Sequence, residues 1–329
     1  MKVLVTGASG FIGSNLVKRL KKKKWKIRVL TRGNKASLLL HNKSFEDVEV
    51  ISGDISDIKT VKKAVAGVDL IFNLAAALPH HHLSPQKYWQ VNVIGVKNLL
   101  KVCEGLKLKQ LIHVSTVGIY GPGRSGIISE NSPIKLTDVY SITKAKAEEE
   151  IAKYIKKGMP ITIIRPTIGY GPGDTRPGFL NLFKLIKKGI FIPIGNGINY
   201  FHTIYVDNLI DALILVTTKK EAIGQDFIIG DYPCPNLDNI YKKIAKIEKS
   251  KILKLYIPLS LAKAVGSIFD VIQKFGITMP LSSQRVKFLT ENRRYSIDKV
   301  RTVLGFNPKI GLEEGLKRTY KWYKENRHL

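Results

Sequence analysis

Thr6-Gly7-Ala8-Ser9-Gly10-Phe11-Ile12-Gly13 follows a short β-branched run at residues 3–6 and opens an amphipathic stretch, Phe11–Lys22. Glycines at 7, 10 and 13 allow a tight turn, close approach of a pyrophosphate and packing of the helix against a sheet. The helix N-terminus then offers amide donors and the positive end of its dipole to phosphates. Three glycines alone are weak evidence. Set between a first strand and an amphipathic helix, they meet the context that a dinucleotide site requires.

Outward from this loop the pattern repeats. Residues 27–31, 48–52, 70–74, 111–115 and 161–165 are further short apolar runs, with amphipathic stretches at 88–104 and 138–157 among the segments between them. Continuous rather than alternating apolarity suits strands buried on both faces, and strand–helix alternation predicts a parallel, doubly wound Rossmann sheet. A seventh strand is expected at 226–230. Helices are expected at 179–188, 237–249, 259–274, 296–304 and 312–326. The α/β reading is therefore a dinucleotide-binding domain over 1–168, completed by 201–230, with a smaller, mostly helical substrate lobe in 169–329.

The 329 residues hold 54 Lys and Arg against 26 Asp and Glu, a formal charge of +28. Most of this is Lys spread along every segment, so a solvated surface is the preferred reading and no specific nucleic-acid partner is expected. Cys103 and Cys234 form neither a disulfide framework nor a zinc spacing, and a reducing compartment is expected. A strand starting at Lys2 leaves no room for a signal peptide, and no run is long and apolar enough to span a bilayer. A soluble, cytoplasmic protein is the expectation. His80, His81 and His82 lack a carboxylate partner at ligand spacing, so no metal site is predicted; a lid or substrate contact is the alternative.

Tyr140-Ser141-Ile142-Thr143-Lys144 opens the helix at 138–157. An i,i+4 separation puts phenol and ammonium on one helical face. A phenol of pKa near 10 is a poor base at neutral pH, and an adjacent cation lowers that value. Lys144 is expected to do this and to hold a cofactor ribose. Thr116, or else its neighbour Ser115, ends the fifth strand where a hydroxyl polarises the same substrate oxygen.

With its G-x-x-G-x-x-G loop, Thr116 and Y-x-x-x-K in this order, the chain resembles the extended short-chain dehydrogenase/reductase superfamily, of NAD-dependent epimerase/dehydratase type, over essentially its whole length. The resemblance selects Thr116 over Ser115, four positions before the Tyr of Tyr120-Gly121. It implies cofactor contacts from Gly7, Gly10, Phe11, Ile12 and Gly13, from Asp54 and Ile55 at the adenine, from Leu74, Ala75 and Ala76 as a small-residue wall, and from Asn92. Pro166, Thr167 and Ile168 should border the nicotinamide, with Tyr140 and Lys144 also at the cofactor. A homodimer paired through the helices at 88–104 and 138–157 is likewise implied.

Strand two ends in Thr31-Arg32-Gly33 instead of an acid for the ribose diol, which favours NADP over NAD. The activity expected is hydride transfer at a secondary alcohol or ketone carbon, with Tyr140 as acid/base. The alternative is a nucleotide-sugar 4-epimerase with tightly bound NAD. A non-catalytic nucleotide- or RNA-binding member is a third reading, opposed by the intact Thr116, Tyr140 and Lys144. Val117-Gly118 replaces the Asp-Glu pair that follows the catalytic threonine in sugar-nucleotide dehydratases. Phe201 stands where nucleotide-sugar enzymes often carry an arginine, with no arginine nearby in sequence. The substrate is expected to be a small molecule, a sugar nucleotide or a lipophilic alcohol or ketone. Arg293 and Arg294 are candidates for an anionic substrate. The apolar stretch 256–276 is expected to form lobe core or dimer packing, with a lipophilic pocket wall or a membrane interface as alternatives.

Overall fold

The structure is a computed structural model that describes residues 1–41, 43–81, 83–123, 126–252, 256–273 and 282–329. Nine strands occur among them: β1 (Lys2–Thr6), β2 (Lys26–Thr31), β3 (Glu49–Ser52), β4 (Leu70–Asn73), β5 (Gln110–Val114), β6 (Ile161–Pro166), β7 (Ile168–Tyr170), β8 (Thr203–Tyr205) and β9 (Asp226–Ile229). Seven form one parallel sheet in the order β3-β2-β1-β4-β5-β6-β9, while β7 and β8 make a small parallel pair. The order reverses between β1 and β4, the switch point where a doubly wound sheet opens a crevice for ligands. The strands of the sheet's middle are buried along their whole length, as their unbroken apolarity requires.

Helices cover both faces. In chain order they are α1 (Phe11–Lys22), α2 (Lys35–His41), α3 (Ile58–Val65), α4 (Pro85–Trp89), α5 (Gly95–Cys103), α6 (Val139–Lys156), α7 (Pro177–Lys187), α8 (Val206–Val216), α9 (Leu237–Glu248), α10 (Leu259–Gln273), α11 (Ser283–Thr290), α12 (Asp298–Leu304) and α13 (Leu312–Glu325). One core lies beneath α1, α7, α8 and α9; the other lies beneath α3, α5 and α6. The expected helix at 88–104 is real but compound: α4 and α5 are joined by a π turn at Gln90–Ile94. Such turns insert one residue into the helix and commonly mark functional sites. Asp138 caps α6, accepting from Ser141 N–H at 2.7 Å, while the Ser141 hydroxyl caps in return.

Several elements were not expected from the sequence: α2, α3, α8, α11 and the β7–β8 pair. Helix α8 is apolar except for Asn208 and the stripe of Asp207 and Asp211, which pairs with Arg19, and it was not singled out in the sequence. Of the two packings expected for 256–276, lobe core is met only in part over the described residues. In α10 the small residues Ala262 and Gly266 face inward, whereas Leu261, Ile268 and Val271 are each more than half exposed. Val265, Phe269 and Ile272 of this helix are half-buried, but Leu261, Ile268 and Val271 take no part in a lobe core. Residues 274–276 lie outside the described set.

Candidate active site

One cavity of about 750 Å³ runs along the carboxyl ends of the central strands. Gly7, Gly10, Phe11, Ile12 and Gly13 line one wall, with Arg32, Asp54 and Ile55 towards β2 and β3. Leu74, Ala75 and Ala76 line it after β4, Thr116 after β5, Tyr140 and Lys144 from α6, and Pro166, Thr167 and Ile168 from β6 and β7. Of the candidate catalytic and cofactor-binding residues, Asn92 is the one not in the lining. It is buried behind the wall, accepting from Ala77 N–H at 2.8 Å and donating to Ala77 O and Thr143 Oγ1. Asn92 therefore ties the loop after β4 to α6, and the π turn is what aims it there.

The glycine loop is tight for physical reasons. Gly7 has φ +65°, and a Cβ there would stand 2.7 Å from the Leu74 carbonyl carbon. A Cβ on Gly13 would collide with the Gly7 carbonyl oxygen. Gly10 precedes α1 without a side-chain cap, and the first turn of α1 holds no acid. Uncapped amides at the positive end of a helix dipole suit a pyrophosphate. Two further hydroxyls of the lining, Ser115 Oγ and Thr167 Oγ1, are buried without a hydrogen-bond partner in the chain. Unpaired buried hydroxyls are costly, and a polar ligand in the cavity would satisfy them. The residues present thus fit a dinucleotide.

Lys144 is buried and linked to the sheet. Its Nζ donates to Val114 O at 2.8 Å and lies 3.3 Å from His113 Nε2. His113 Nδ1 in turn accepts from Asn73 Nδ2 at 3.0 Å, and Thr6 Oγ1 donates to Asn73 Oδ1 at 2.6 Å. Ala75 N–H donates to Thr6 Oγ1, so the chain of bonds ends in the cavity wall itself. With Nδ1 accepting, the imidazole proton sits on Nε2 and points at Lys144. Burial lowers Lys144 to about 8. Burial, with the charge of Lys144, also holds His113 well below its ordinary value. Thr6, Asn73 and His113 were not singled out in the sequence. They lie on three strands and meet only through the sheet.

Tyr140 differs from its expected electrostatics. Burial pushes its phenol up to about 12, opposed by a hydrogen bond with Thr116 and by the charge of Arg176. Arg176 is a cation whose charge acts on the phenol, while Lys144 Nζ is turned to Val114 O and His113. Arg176 lines the cavity, held by Asp174 Oδ1 at 2.6 Å and Gly169 O at 2.8 Å, with its guanidinium 4.9 Å from the Phe11 ring centre. Thr116 Oγ1 also accepts from Gly118 N–H at 2.9 Å, which fixes the turn Val117–Tyr120. Arg165, beside the site in sequence, is an anchor: it pairs with Glu148, Asp226 and Tyr120 within the core. Glu148 is thereby engaged by Arg165.

At the far end Leu83, Phe288, Arg293 and Tyr295 complete the lining. Phe201 is bridged backbone to backbone with Arg293, and His202 N–H donates to Arg293 O at 3.0 Å. An arginine absent from the neighbourhood of Phe201 in sequence is thus supplied from a segment ninety residues on. Arg294 instead lies over the Tyr200 ring. Arg32 is exposed at the opposite rim, and its charge, after burial, lowers His81. His80 and His81 line the cavity, and His82 lies outside the described residues. No group of three metal-ligating side chains occurs among the described residues. No described helix is long and apolar enough to cross a membrane.

Comparison with known proteins agrees with this geometry. The model of the NAD-dependent epimerase/dehydratase family matches residues 3–230. The chain is 30% identical over 325 residues to N-acetyl-alpha-D-glucosaminyl-diphospho-ditrans,octacis-undecaprenol 4-epimerase of Escherichia coli O157:H7, covering 97% of this chain and 94% of that one. It is 28% identical over 347 residues to the decarboxylating sterol-4-alpha-carboxylate 3-dehydrogenase of Candida albicans, covering 98% of each. The crystal structure of UDP-glucuronic acid 4-epimerase from Bacillus cereus in complex with NAD superimposes with a TM-score of 0.78 at 25% identity, over 99% of both chains. These relatives are enzymes, and their activities include both epimerisation and net dehydrogenation. With well over half of its length under the family model, the protein is an enzyme of the NAD-dependent epimerase/dehydratase family.

Proposed function

We propose that the chain is an oxidoreductase that transfers hydride at a secondary alcohol or ketone carbon, with Tyr140 moving the proton. The observation that carries this is the meeting of the Thr116 and Tyr140 hydroxyls in the cavity that begins at the glycine loop. When bound, a nicotinamide dinucleotide supplies the hydride donor or acceptor. Gly7, Gly10, Phe11, Ile12 and Gly13 hold its pyrophosphate, and Asp54, Ile55, Leu74, Ala75 and Ala76 its adenosine side. Pro166, Thr167 and Ile168 border its nicotinamide. Thr116 Oγ1 orients the substrate oxygen, while Tyr140 Oη gives that oxygen a proton in reduction or takes one in oxidation. Lys144, which donates to Val114 O in the chain alone, would hold the cofactor ribose, and its charge there would lower the phenol.

Arg32 at the rim supports NADP as the preferred cofactor, since a guanidinium matches a 2′-phosphate. A substrate with an anionic part and an apolar part suits Arg293 beside Phe288 and Tyr295. Residues 1–168 with 201–230 are read as the dinucleotide-binding domain and the rest of 169–329 as the substrate lobe. Homodimer pairing through α4–α5 and α6 is supported by the exposed Trp89 and Ile142 on those helices.

The test is turnover of NADPH or NADH against a panel of secondary alcohols, ketones and sugar nucleotides, with Tyr140→Phe as comparison. The variant should lose at least about a hundredfold in kcat while binding dinucleotide as before. Unchanged turnover would overturn the assignment. A second reading, 4-epimerisation, is favoured by the likeness to the undecaprenol-linked sugar 4-epimerase. It requires a purified chain that retains its dinucleotide and interconverts a sugar epimer pair without net redox.

A further inference from the structure

Helix α10 half-buries Val265, Phe269 and Ile272 but leaves a second row of large aliphatic side chains facing outward. Its inner side carries Ala262 and Gly266, where a Cβ would stand 3.0 Å from Ser283 N at the start of α11. Asp270, the acid of α10, accepts from that same Ser283 N–H at 3.2 Å. Leu261, Ile268 and Val271 point outward at 54%, 58% and 54% exposure, spaced along one helical stripe. The face extends beyond the helix. Ile257 is bridged to Ile194, with hydrogen bonds of 2.9 Å in both directions between 257 and the segment 193–195. That bridge joins the segment carrying the exposed Ile190 and Ile192 to the one carrying the exposed Tyr256 and Leu259. Phe288 on α11 is 44% exposed and also lines the cavity, so the face reaches the cavity rim.

Cations interleave with these apolar side chains. Lys184, Lys187 and Lys188 alternate with the exposed Leu185 and Ile190, Lys263 sits on α10, and Lys287 adjoins Phe288; all five lysines are exposed. Apolar side chains flanked by lysines are the pattern of a surface that enters the headgroup region, the aliphatic groups inserting and the ammonium groups meeting anionic headgroups. The occupant is chosen by charge. A second copy would bring another such lysine-rich face from a chain of formal charge +28, whereas an anionic surface complements it. We propose that α10, α11 and the 184–192 segment form a face that docks on an anionic bilayer. The docking is independent of the chemistry assigned to the cavity.

The experiment is flotation of the full chain with vesicles of phosphatidylcholine alone and of phosphatidylcholine mixed with phosphatidylglycerol. The chain should float with the mixed vesicles and not with the neutral ones. Ile268→Glu should lower the bound fraction about tenfold, as loss of one inserted aliphatic group does. Lys187→Gln and Lys188→Gln should lower it about fivefold each. Should Ile268→Glu melt below the parent, the two lysine variants, which leave apolar packing intact, make the same test. Two results overturn the proposal. One is binding to anionic vesicles that none of these variants weakens, which would assign it to the general charge of the chain. The other is a dimer, seen by light scattering, that Ile268→Glu dissociates, which would assign the face to a second copy.

Discussion

The crevice above the sheet and the outer face of the lobe treat small residues in opposite ways. At the crevice, Gly7 and Gly13 stand where any side chain would meet backbone, and polar atoms from three strands are paired into a single chain of hydrogen bonds. In the lobe, an added Cβ at Gly178 would meet nothing, and α10 leaves Leu261, Ile268 and Val271 in the open. Shape is over-determined where a ligand must be held to within a fraction of an ångström and loose where contact is with a surface. Substitutions at matching residue types in the two regions should therefore give unlike results.

The sharpest break of the comparison is Gly13→Ala. Its new methyl would displace the Gly7 carbonyl, and with it the loop that presents the α1 amides. Loss of about 1–3 kcal/mol of stability is expected from the overpacking. Dinucleotide affinity should fall by about a hundredfold, the worth of one or two charge-assisted hydrogen bonds. Calorimetric titration together with a melting curve separates the two effects. Native-like affinity in a folded variant would remove the glycine loop from the binding site.

Lys144→Met tests whether the crevice bears an internal cost for its function. Burial lowers Lys144 from 10.5 to about 8, so between those values the folded chain binds fewer protons than the unfolded one. Stability contributed at this residue therefore rises with pH from about 8 to 10.5, and the full penalty is present below that window. Methionine removes the charge and keeps the volume. At pH 7 it should stabilise the dinucleotide-free chain by about 2 kcal/mol, with the gain vanishing above the window. Equal denaturation midpoints for the two chains at pH 7 would mean that Lys144 is not strained in the folded state.

Arg32→Ala probes the rim, where the crevice meets solvent. NADPH affinity should fall about tenfold and NADH affinity should hold, because only the former carries the 2′-phosphate that a guanidinium pairs with. Parallel losses for both cofactors would place Arg32 outside the discrimination.

The legible and illegible parts of the molecule divide along the same line. Parallel strands buried on both faces announce themselves as unbroken apolar runs, and the glycine spacing between β1 and α1 is a local signal. Tyr140 and Lys144 are visible because helix periodicity makes a spacing of four into a shared face. Their electrostatics were not visible. Arg176 reaches the phenol from a loop after β7, and the His113–Asn73–Thr6 chain needs the strand order before its members become neighbours. Arg293 reaches Phe201 across ninety residues. Helix α8 escaped because only Asp207, Asn208 and Asp211 interrupt its apolar run, and the outward stripe of α10 because amphipathicity shows which residues share a side without showing which side faces the protein.

The smallest expected effect is the mirror of the first. Gly178 sits in the first turn of α7, at ordinary backbone angles, with open space where a Cβ would go. Alanine there restricts the unfolded chain and disturbs nothing in the folded one. Gly178→Ala should raise stability by about 0.4–1 kcal/mol, read as a shift of the denaturation midpoint with an unchanged slope. A loss instead would show that the lobe surface at α7 is packed as closely as the crevice. The contrast between the two regions would then reside in α10 and α11, not in the lobe as a whole. The sign of this one substitution therefore decides how far the looseness extends, and a gain at Gly178 against a loss at Gly13 would mean that one residue type is held by contact in the crevice and by nothing at the start of α7.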